Sequence, residues 1–137
     1  MNRLLVAAAL AASLGSAQAD PVRDYKLATT GRDLSCRMDL LNAQMTQDLG
    51  NKPTNEFAVC LAEGDRQAKE LYVLAAEQVA AKPAAVAALK EHLIRVLAQL
   101  RGLKANTNEP KVNYNARQAS LKAAVQEAWN RFEVEAL

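Results

Sequence analysis

The chain has 137 residues, half of them hydrophobic, with 17 basic side chains against 15 acidic ones. A formal charge of +2, with no run of Lys or Arg, gives no electrostatic footprint for nucleic acid or an anionic membrane. A single histidine and two cysteines are too few for a dedicated metal centre, and no metal or other cofactor is expected.

In chain order, Met1-Asn2-Arg3 supplies one positive charge, Leu4 to Leu14 carries none, and Ala17-Gln18-Ala19 is an A-x-A site before Asp20. These are the parts that signal peptidase reads. Residues 1–19 are therefore expected to be a cleaved signal peptide, and the mature protein to be periplasmic or secreted. The apolar run falls short of the roughly 20 residues that span a bilayer, so no membrane anchor is expected. Cleavage would remove Arg3 and leave one ordinary domain with nearly balanced charge.

Asp20 to Thr29 shows no clear period and reads, up to residue 30, as an N-terminal arm, with 31–137 forming a single helical domain. Thr30-Gly31-Arg32-Asp33 resembles a helix start, with a capping hydroxyl and an acid three residues on. Leu34, Met38, Leu41, Met45 and Leu49 then recur at spacings of four and three, the mark of one apolar helix face. Gly50 follows where a left-handed cap wants glycine, so helix one is expected over residues 31–49.

Pro53-Thr54 restarts the chain. Phe57, Leu61, Gly64, Ala68, Leu71, Ala75 and Val79 give the clearest periodicity, and the small residues among them allow a neighbouring helix to approach closely. Glu63, Asp65, Arg66, Lys69, Glu70 and Glu77 lie opposite, in the mixed-sign pattern of a solvated face. Lys82-Pro83 opens a third helix with Val86, Leu89, Leu93, Val96, Leu97, Leu100 and Leu103 as its apolar side. After a polar loop from Ala105 to Val112, a fourth helix begins near Asn113 and presents Tyr114, Leu121, Val125, Ala128 and Phe132, with Trp129 at the flank. The fold expected is all-α, a four-helix up-down-up-down bundle with an irregular first helix.

Cys36 and Cys60 are expected to form a disulfide, because an exported protein with two cysteines usually pairs them. The bridge conflicts with straight rods. If the turn falls at Gly50 to Pro53, Cys36 and Cys60 differ in depth by roughly 10 Å at 1.5 Å per residue, more than a disulfide can span.

Among candidate site residues, His92 sits beside the apolar line of helix three and is expected at the rim or in solvent. Haem or metal held between Met38 or Met45 and His92 is the alternative reading, that of a carrier bundle. Arg117 and Gln118 interrupt the apolar stripe of helix four. A buried guanidinium there requires a carboxylate or several carbonyls, and the pair is the candidate partner-binding or buried polar position. There is no G-x-S-x-G, phosphate loop or H-E-x-x-H, so no enzyme activity and no catalytic residues are expected.

Leu121, Gln126, Trp129 and Phe132 resemble, over about a dozen residues, the closing helix of the periplasmic LprI-like lysozyme-inhibitor type. Glu133 stands where that pattern prefers arginine, and its closing cysteine is missing. The resemblance implies an envelope enzyme inhibitor as a further alternative. The main expectation is a small exported helical module that binds another envelope protein and catalyses nothing.

Overall fold

The computed structural model describes residues 18–52 and 54–137, so most of the expected signal peptide, together with Pro53, lies outside the described residues. Four helices follow in order: α1 (Pro21–Asp48), α2 (Glu56–Gln78), α3 (Pro83–Arg101) and α4 (Lys111–Ala136). Among the described residues there is no strand, and no helix is long and apolar enough to cross a membrane.

α1 begins ten residues earlier than the expected start at Gly31. The segment expected to be an arm is its first three turns. Asp20 caps them by accepting a hydrogen bond from the Arg23 N–H, and Pro21 occupies the first turn, where its missing N–H costs nothing. Thr30 to Asp33 continue the helix instead of starting it. At the other end the glycine cap expected at Gly50 is present. Its φ is +77°, and the bonds Gly50 N–H to Gln47 O and Asn51 N–H to Thr46 O are those of a Schellman motif.

Consecutive helices pack against each other in chain order. Cys36 is bonded to Cys60, and Val22 donates its N–H to Gln78, so α1 and α2 run antiparallel. Asp65 against Arg101 and Lys82 against the Ala136 carbonyl show the same for α2 with α3 and α3 with α4. The close approach expected of the small residues on α2 is present at Gly64. An added Cβ there would stand 2.7 Å from Arg32 Cγ and 3.3 Å from Leu100 Cδ1.

The Cys36–Cys60 disulfide, with Cα atoms 5.4 Å apart, resolves the register conflict through an overhang. Cys36 precedes the end of α1 by twelve residues, whereas Cys60 follows the start of α2 by four. At about 1.5 Å per residue, α1 projects some 12 Å beyond α2. The seven residues that separate the two helices, at up to about 3.3 Å each, are long enough to cover that distance.

The core has two layers. One holds Tyr25, Ala75, Ala85, Ala88, Leu89, Trp129 and Phe132. The other holds the disulfide with Val96, Leu100 and Leu103. The ring of helices is not closed: among the described residues no Cα of α1 comes within 8 Å of one in α4. α3 therefore forms the floor of a groove between them.

Candidate functional site

Three features outside ordinary core packing bear on function: the polar cluster at the α3–α4 loop, the groove between α1 and α4, and the outer face of α1.

Arg117 and Gln118 close the α3–α4 loop. The Arg117 guanidinium grips both carboxylate oxygens of Glu109, at 2.8 and 2.7 Å, and donates to the carbonyls of Gly102 and Lys104. Arg117, with the backbone N–H of Asn106, holds the Glu109 carboxyl down to about 2. Gln118 donates to the same Gly102 carbonyl, at 2.6 Å, and Tyr114 donates to the Leu103 carbonyl. These side chains satisfy carbonyls at the end of α3 that have no partner within the helix. The guanidinium thus has the carboxylate and carbonyls that its position requires.

Gln118 has a second role. Its Oε1 accepts from Arg37, which also reaches Asp33. Among the described residues this is the side-chain hydrogen bond that spans α1 and α4. It divides the groove into two hollows, one of about 240 Å³ toward Lys26 and Gln126, the other of about 490 Å³ under the projecting end of α1 beside Tyr114.

His92 lies on the floor of the first hollow, not at the rim. It is 1% exposed, and its Nδ1 shares a 2.8 Å hydrogen bond with the Tyr25 hydroxyl. Burial pushes the Tyr25 hydroxyl above its ordinary range, so the phenol is neutral at pH 7 and can donate or accept in this bond. Burial, reinforced by the Lys26 charge, lowers His92 to about 4. The ring is therefore neutral at pH 7, and among the described residues its buried Nε2 has no hydrogen-bond partner. Trp129, expected at the flank of α4, is buried against this ring, with centroids 5.1 Å apart, and carries the Lys26 ammonium over its own ring at 4.2 Å.

The apolar line Leu34, Met38, Leu41, Met45 and Leu49 does not form the core face of α1. All five are exposed, Leu34 at 64%, Met45 at 61% and Leu49 at 77%, and Leu27 continues the line at its other end. The inward face consists of Tyr25, Thr29 and Cys36, rotated about 180° from the outer line at 100° per residue. Met38 and Met45 thus point away from the side on which His92 lies, and the methionine–histidine pair of the carrier reading is not brought together. Among the described residues no group of three or more His, Cys, Asp or Glu side chains could hold a metal ion.

Comparison with protein-family models, curated proteins and solved structures gives no match in any of the three.

The residues behind the inhibitor resemblance have structural roles of their own. Trp129 and Phe132 pack in the core layer that holds Tyr25 and Leu89, and Gln126 donates to Asn130 on the surface. The charged side of α2 is solvated as expected, with Arg66 paired to Glu63 and Glu70, and Lys69 to Asp65. The disulfide points to an oxidising compartment outside the cytoplasm.

Proposed function

We propose that the protein is a non-catalytic interaction module of the periplasm, or of the secreted fraction, that docks an amphipathic helix of an envelope protein along the outer face of α1. The supporting observation is the exposed line of Leu27, Leu34, Met38, Leu41, Met45 and Leu49. A contiguous apolar surface on the order of several hundred square ångströms on a small domain marks an interaction site.

The spacing indicates a helical occupant. Leu27, Leu34 and Leu41 repeat every seven residues, and so do Gly31, Met38 and Met45, which is the a/d seam of a coiled coil. The flanking positions, Ala28, Thr30, Ser35, Asn42 and Gln44, carry no charge. Arg37, the exception, is held toward the groove by Asp33 and Gln118. A partner helix would meet no unpaired charge along most of this seam.

Photo-crosslinking in intact cells tests the reading. A benzophenone side chain at position 38 or 45 is expected to yield discrete protein adducts. The same group at Glu70, on the solvated side of α2, should yield none. Equal adduct patterns at all three positions would overturn the proposal. An adduct of the chain with itself would identify the occupant as a second copy.

A further inference from the structure

The docking face of α1 matches its own reverse. We infer that the helix it receives is α1 of a second copy of this chain, laid antiparallel, so that the protein is a dimer. The inference rests on the docking reading above and names its occupant.

Gly31 is the first indication. It lies in the interior of α1 and is exposed, although glycine weakens a helix interior. A Cβ added there would meet nothing within 4 Å, so packing within one chain does not require its small size. Gly31 stands between Leu27 and Leu34 in the seam, and its missing side chain leaves a hole in the exposed apolar line.

A reversed copy of the same helix fills that hole. In an antiparallel pair, the line Leu27, Leu34 and Leu41 rests beside the line Gly31, Met38 and Met45 of the other helix. Setting Leu34 beside Met38 of the second copy sets Leu27 beside Met45 and Leu41 beside Gly31. The twofold axis repeats each contact. The next seam positions outward are Asp24 and Asp48, and they meet only at the ends of the pair, in water, with Arg23 adjacent. A slip of one heptad would set Asp48 beside Gly31, and the opposite slip would set Asp24 beside Leu41. Either moves a carboxylate into the apolar seam, which is costly. A parallel pair would set Gly31 against Gly31 and leave the hole open.

The flanks fit a second copy as well. Antiparallel pairing turns each flank against its own reverse, with Ser35 level with Ser35 on one side and Arg37 level with Arg37 on the other. Charged flanks would therefore repel themselves. Ala28, Ser35 and Asn42 on one side, and Thr30 and Gln44 on the other, carry no charge. Arg37 is drawn toward the groove by Asp33 and Gln118. The area is also sufficient. The line from Leu27 to Leu49, 46% exposed at Leu41 and 77% at Leu49, offers roughly 700 Å² per copy, and two copies together reach the ~1,200 Å² at which stable interfaces begin.

Sedimentation of the intact, disulfide-bonded protein between about 1 and 100 µM is expected to show a monomer–dimer equilibrium. Gly31→Leu and Leu41→Ala should each weaken the dimer about tenfold, one by overfilling the shared layer and the other by emptying it. Combined, they should restore it to within about threefold of the parent, because the exchanged side chains face each other. Circular dichroism checks that each variant is folded. A benzophenone at position 45 of the purified protein should crosslink to the second copy near Leu27. The inference is overturned if the parent stays monomeric throughout, if the double variant is weaker than either single one, or if the crosslink from position 45 lands near position 45. A monomer that still forms adducts with another protein in cells at positions 38 and 45 overturns the second copy and leaves the docking face standing. A monomer with no adducts at either position removes both.

Discussion

The two faces of α1 differ in opposite senses in chemistry and burial. The inner face carries a phenol, a hydroxyl and half a disulfide, and it is buried. The outer face carries four leucines and two methionines, and it is exposed. Each polar group on the inner face has a specific partner: Tyr25 has His92, Thr29 has the Tyr25 carbonyl, and Cys36 has Cys60. The outer face has no partner among the described residues. The inner face therefore belongs to folding, and the outer face is the one we propose for association. Apolar character alone does not distinguish the two.

Breaking the inner face should have the largest effect. Tyr25→Ala removes a fully buried ring together with the partner of His92. It should cost about 4 kcal/mol, by analogy with other buried aromatic truncations, read from urea unfolding. Replacing both cysteines by alanine releases a loop of about 25 residues and should cost about 3.5 kcal/mol on chain-entropy grounds. The same measurement with and without a reducing agent checks it in the parent protein.

Acidification probes the inner face without a mutation. Folded His92 titrates near 4, against an ordinary value of 6.5. Between those pH values the unfolded chain binds a proton that the folded chain does not, so stability falls as pH drops through this window. The contribution is fully present above about pH 6.5, and its loss by pH 4 is on the order of 3 kcal/mol. Urea midpoints across this range should show the slope, and His92→Gln should flatten it. Tyr25 and Lys26 are the titrating neighbours that shape this environment.

The smallest effect sharpens the contrast. Leu34→Glu with Leu41→Glu should change stability by no more than about 0.5 kcal/mol, as expected for exposed positions, while abolishing the crosslinks at positions 38 and 45. If the double variant unfolds the protein, the outer face is part of the fold and the division between the faces fails.

Much of this architecture is legible in the amino-acid sequence, and α1 shows why the rest is not. The apolar sides of α2 to α4, His92 and Trp129 apart, are read correctly because one apolar stripe meets one buried side, with Gly64, Ala68 and Ala75 marking the close approach. On α1 the strongest stripe is the outer one, and periodicity reports a face without saying what covers it. Tyr25 and Thr29 signal burial weakly, since each needs a polar partner from elsewhere. Asp20-Pro21 is a usable helix start, a capping acid followed by a proline, hidden by the polar residues after it. His92 falls in line with Leu89 and Val96 at helical spacing, and only its polarity argues for the rim. The role of Arg117 depends on Glu109 and on carbonyls of a loop whose path the sequence does not specify.

The overhang of α1 also separates continuity of the backbone from continuity of the molecule. The seven-residue return from Leu49 to Asn55 lies wholly inside the loop spanned by Cys36 and Cys60. A protease cutting there would divide the polypeptide without releasing either piece. On a gel the nicked protein would run as one band until reduced and as two afterwards, while the helix pair stayed tethered. A protease outside the cytoplasm that cut beside the exposed Asn51 or Thr54 would thus leave a two-chain protein that still presents both faces of α1.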